Sequence, residues 1–172
     1  MDTFIFILFN FLLYSFIGWI IENLYSYIIT GEFKKDGFMK GPYKPMYGIA
    51  FTLLVIVNKY SNINSSLLIV LYFIIPTLIE FISGYLLRRF FNKEYWDYSN
   101  LKYNYKGLIS LRFSFYWMIL SFIGIIFIQP IINAIFINYM RIWGIIAILG
   151  CIIMAFDLVL TIRTTNNKLI VN

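Results

Sequence analysis

Three carboxylates, Glu22, Glu80 and Asp157, stand inside stretches that are otherwise almost pure hydrocarbon. A charged side chain at the centre of a membrane helix costs about 2.5 to 3.5 kcal/mol even on lenient insertion scales, so each of the three asks for a role. At 1.5 Å of rise per residue they lie about 9 to 13 Å from the ends of their apolar runs, at similar depth. A shared polar pocket is the expectation, with Arg88 and Arg112 as candidate members. Two readings of it stand: a structural ion-pair cluster with Arg88, Arg112 or Arg163, or a site for a substrate or ion.

Two polar segments carry the remaining chemistry. In the first, Gly41, Pro42, Pro45, Tyr47 and Gly48 form a turn too rich in Pro and Gly for regular helix, with Pro45 suited to a first helical turn. Such a turn is either a plain connector or, through amides at the helix start, an anion or docking site. In the second, Trp96, Asp97, Tyr98 and Ser99 precede Asn104 in a run dense in aromatic residues. Trp and Tyr suit the headgroup region, so an interfacial loop is one reading. The other is a cytoplasmic docking loop, or an aromatic lip over the carboxylates that holds a cation.

The elements that must position these residues are membrane helices. With 61% hydrophobic and 21% aromatic residues and a mean hydropathy of +0.80, the chain lacks the polar surface of a soluble domain. The reading is an all-α polytopic bundle of about five spans, at 3–29, 46–58, 67–87, 108–128 and 142–162, forming a single domain over 1–172. Four runs reach the roughly 20 residues that cross a bilayer core, and 46–58 is short. Of 14 Lys and Arg residues, all but Lys59 and Arg141 fall on one face when 46–58 counts as a span. The positive-inside rule then gives an N-out, C-in topology in the cytoplasmic membrane, with the aromatic loop inside. No basic stretch precedes the first apolar run, which is therefore expected to stay attached as a helix.

One cysteine and no histidine argue against a disulfide framework and a Cys/His metal site, and no cofactor motif is present. The sequence pI near 9.4 fits contact with anionic lipid better than nucleic acid. No phosphate-binding loop of the Gly-x-x-x-x-Gly-Lys-Ser/Thr type occurs, so any ATP hydrolysis belongs to another polypeptide.

Several strings in order resemble the CmpB-type ABC-transporter permeases, small bacterial integral membrane proteins. They are Gly18-Trp19 with Glu22, the Gly41 to Gly48 turn, Glu80 with Gly84-Tyr85, Trp96 to Ser99, and Asn104 through Gly107, Leu111 and Ser114 to Trp117. Departures are Lys35-Asp36 before Gly37, Ser110 and Met118. The resemblance implies a multi-helix membrane protein with a transport role, working with a separate ATPase, a second membrane subunit or a second copy of itself. A non-catalytic membrane accessory or assembly factor is the alternative. An enzyme acting on lipid headgroups through Glu22, Glu80 or Asp157 is disfavoured by the lack of histidine or a nucleophile constellation.

Overall fold

In the computed structural model, residues 3–33 and 37–171 are described, with side chains as far as Asn167. Lys34 and Lys35, counted above in the basic face, lie outside the described residues, as does the side chain of Lys168. The chain forms α1 (Thr3–Thr30), α2 (Pro45–Tyr60), α3 (Ser65–Phe91), a two-stranded antiparallel ribbon of β1 (Asn104–Tyr105) and β2 (Ile109–Ser110), then α4 (Leu111–Ile123), α5 (Gln129–Asn138) and α6 (Met140–Val171). A π-helical turn, Gly124–Ile128, joins α4 to α5 so that Leu111–Asn138 is one continuous rod. This is a helical membrane bundle. Four of its helices, Thr3–Thr30, Ser65–Phe91, Leu111–Asn138 and Met140–Asn167, are long and apolar enough to cross a membrane.

Local chemistry sets the helix limits. Asn64 caps α3 by accepting the Leu67 N–H at 2.9 Å, and Ser110 Oγ accepts from Phe113 N–H to start α4. Asn92, at φ 48°, closes α3 in the left-handed conformation that ends helices. The fourth apolar run extends ten residues beyond the expected stop at 128. The π turn supplies the reason: its wider spacing accommodates Pro130, which lacks an N–H, within the rod. It also buries Gln129, which bonds Asn10, Asn133 and Tyr14 and ties α5 to α1.

Helix α2 is the irregular member. Sixteen residues make about 24 Å of helix, against about 42 Å for α1. It begins halfway along its neighbour: the Lys44 N–H donates to the Ser15 carbonyl at 2.9 Å. Gly48 and Gly18 allow this approach. A Cβ at Gly48 would sit 2.1 Å from Ser15 Oγ and 2.5 Å from the Phe11 carbonyl, and one at Gly18 would enter the Tyr47 ring. From there α2 runs towards the Thr3 end of α1, where Lys59 lies over the Phe6 ring, 4.0 Å from its centre. The second expected span, 46–58, is therefore only half a helix: residues 37–44 run without helix beside the lower half of α1, and helix takes over at Pro45.

The core of Phe6, Phe9, Leu54, Tyr72, Ile125, Phe136 and Ala147 fills the upper half, nearest Thr3, where α1, α2, α3, α5 and α6 meet. Below Pro45 the column occupied by α2 has no helix to fill it. That vacancy in the packing makes the site.

Candidate functional site

A cavity of about 450 Å³ lies under the start of α2, between the lower half of α1 and the first turns of α4. Helix α1 contributes Glu22, Tyr25 and Ser26, α2 contributes Met46 and Tyr47, and α3 contributes Glu80. The segment after α3 adds Tyr95, Trp96 and Tyr98, and α4 adds Phe113, Tyr116, Trp117 and Leu120. Eight of its sixteen lining residues are aromatic, two are carboxylates and none is Lys or Arg, so its walls are apolar and its only formal charge is negative.

The carboxylates have separate environments. Glu22 Oε2 is 2.6 Å from Lys44 Nζ, and the Tyr47 hydroxyl faces the same group. Glu80 is 2% exposed. Its Oε1 accepts from the Tyr98 hydroxyl at 2.9 Å, while Oε2 has no hydrogen-bond partner among the described residues. The Trp117 indole stands beside Glu80 outside hydrogen-bond geometry, so its N–H is also unsatisfied. Asp157 lies elsewhere: its Oδ2 accepts the Gly41 N–H at 2.8 Å, fastening the turn to α6.

Two of the three carboxylates thus hold the segment ahead of α2, Glu22 through Lys44 and Asp157 through Gly41. Glu22 and Glu80 share the cavity, and Asp157 does not join them. Neither arginine does. Arg88 pairs with Glu94 at 2.7 Å and donates to the Lys106 carbonyl at 2.8 Å, bracing the ribbon. Arg112 is exposed and donates to the Tyr116 hydroxyl at 2.9 Å. The partner of Glu22 is Lys44, whose only signal in the sequence is its place just before Pro45.

The segment of Trp96 to Asn104 is folded upon itself. Asp97 accepts from the Ser99 N–H and hydroxyl, both at 2.8 Å, and the Asn104 amide donates to Leu101 and accepts from Gly107. Those donors, the Ser99 N–H first, hold the Asp97 carboxyl below the usual carboxylate range. The Trp96 indole N–H donates to the Leu108 carbonyl, and its ring packs on Gly84. Tyr98 is thereby turned inward, stacked on Phe113 with ring centres 4.5 Å apart. Burial, then the Glu80 carboxylate beside it, raises its phenol pKa, so Tyr98 acts as a donor. Of the turn residues, Tyr47 lines the cavity, Pro45 opens α2, Gly48 packs on Ser15, and Gly41 with Pro42 forms the bend at Asp157.

No group of three or more Asp, Glu, Cys or His side chains comes together among the described residues. Tyr25, Phe113 and Tyr116 complete the cavity and escape sequence reasoning, because aromatic residues are everywhere in this chain. Bundle and cavity together define a membrane protein with a ligand-sized polar-ended pocket within its helices. The chain belongs to the family described as "Putative ABC-transporter type IV", which it matches over residues 9–162. No solved structure matches it.

Proposed function

We propose that this chain is a permease-type subunit of a transporter, one multi-pass domain of the cytoplasmic membrane that holds its substrate in the cavity beneath α2. The observation that carries the reading is the discontinuous crossing. In secondary transporters, broken helices place binding sites near the bilayer midplane, where a half-helix ends and irregular backbone lines a cavity. Here α2 starts midway along α1 and the cavity opens directly below its first residues. Family membership supports the same reading.

The chain carries no nucleotide-binding motif, so a separate ATPase supplies the energy. Its few helices call for a second membrane subunit or a second copy to complete a path. Purification from its own membrane in mild detergent tests this. An ATPase subunit recovered in fixed stoichiometry, with ATP hydrolysis altered by Glu80→Gln, is expected. Recovery of a biosynthetic enzyme alone would replace transport with an accessory role.

A further inference from the structure

We infer that the cavity recognises an organic cation, an ammonium ion carrying an apolar body, with Glu80 as its counter-charge. This rests on the transport reading only in making that cation the substrate.

The charges around the cavity are unequal. Glu22 is matched by Lys44, and the positive end of α2 also favours a carboxylate near it. Glu80 has no cation against it: its donors are the neutral Tyr98 hydroxyl at 2.9 Å and, beside it but too far or too bent for a full hydrogen bond, the neutral Trp117 indole N–H, which leaves Oε2 buried without a formed bond. An uncompensated buried carboxylate is costly, and a ligand cation offsets that cost where no side chain does. Arg112 is the nearest basic residue on α4, but it is exposed and its guanidinium is held at the Tyr116 hydroxyl. Solvent screens it more than it screens anything beside Glu80. An anionic ligand would bring a like charge to Glu80 with no basic lining residue to receive it.

The walls suit the same ligand. Tyr25, Tyr98, Phe113, Tyr116 and Trp117 surround the space, and aromatic faces attract cations, most strongly where both are removed from water. A strongly hydrated ion such as sodium would exchange its shell for rings, one free carboxylate oxygen and the Ser26 and Thr30 hydroxyls, which are already bonded to backbone carbonyls. An alkylated ammonium, with little hydration to lose and apolar groups to bury, fits those walls. A volume of about 450 Å³ admits a small drug-sized molecule.

Purified protein in lipid nanodiscs, titrated by tryptophan fluorescence, decides the matter, since Trp96 and Trp117 line the cavity. The probes are benzyltrimethylammonium, its neutral carbon isostere neopentylbenzene, and benzenesulfonate. Saturable binding of the cation is expected, at least tenfold tighter than either other probe. Glu80→Gln is expected to weaken it at least tenfold, and Tyr116→Leu severalfold with the melting temperature unchanged. Equal binding of the isostere would make the cavity an apolar lipid site and overturn the inference. Tighter binding of the sulfonate, absence of saturable binding, or binding indifferent to both substitutions would overturn it too. Should Glu80→Gln not fold, Tyr116→Leu and the isostere carry the test. Cation binding without an ATPase partner would remove the transport reading and leave the site; an ATPase partner without cation binding would do the reverse.

Discussion

The Tyr98 hydroxyl donates to Glu80 Oε1 across 2.9 Å, linking a residue of the folded segment after α3 to a carboxylate buried in the middle of α3. Through this contact the segment is a wall of the cavity, and its fold controls the surroundings of Glu80. Tyr98→Phe keeps the stacking on Phe113 and deletes only the donor. A lost hydrogen bond to a buried carboxyl group costs about 1 to 3 kcal/mol, so the variant is predicted to melt lower in detergent while the exposed Tyr103→Phe does not. Equal melting temperatures would remove the contact's structural role.

The second prediction concerns the approach of α2 to α1. Gly48→Ala places a methyl group 2.5 Å from a backbone carbonyl, which cannot swing aside as a side chain can. Overpacking of this kind costs about 1 to 3 kcal/mol. Gly144→Ala meets only Ile5 side-chain carbons, the nearest at 3.3 Å, and is predicted to be mild. Thermal unfolding of the two proteins side by side checks the ranking, and a milder effect at Gly48 would mean α2 can slide.

Acid is predicted to loosen the segment of Trp96 to Asn104. The Asp97 carboxyl is held below its ordinary value by the Ser99 donors, so it contributes stability above the unfolded pKa of about 3.9 that is lost as pH falls through the folded one. Trp96 emission followed downward from about pH 5 is expected to report the opening. Asp97→Asn should flatten that response. A titration identical to the parent would assign the acid sensitivity to another group.

Membrane orientation is the fourth prediction. In a Cys151→Ser background, a cysteine at Asn62 is expected to react with an impermeant thiol reagent added to intact cells, and one at Lys102 is not. The basis is that Lys59 and Arg141 alone lie at the Thr3 end, whereas the other described basic residues lie from the start of α2 towards the opposite end. Labelling at Lys102 would reverse the topology.

The chain's own composition determined the membrane class, the approximate helix limits and the family, because each rests on local properties: length of apolar run, charge between runs, and ordered short strings. Pro45 as the start of a helix was legible for the same reason, since its ring fixes the backbone without reference to neighbours. The stop expected after Ile128 failed because a π turn depends on what Gln129 can bond across the bundle. The three carboxylates were visible in the sequence, but their partition was not. Equal depth along separate helices says nothing about rotation around each helix axis, and rotation is fixed by which side chains interlock. Packing of Gly48 on Ser15 sets α2 halfway up α1, which brings Lys44 to Glu22, sends Asp157 to Gly41, and leaves Glu80 facing the space that α2 does not fill. Those pairings join residues up to 116 positions apart, a distance over which only tertiary structure chooses partners.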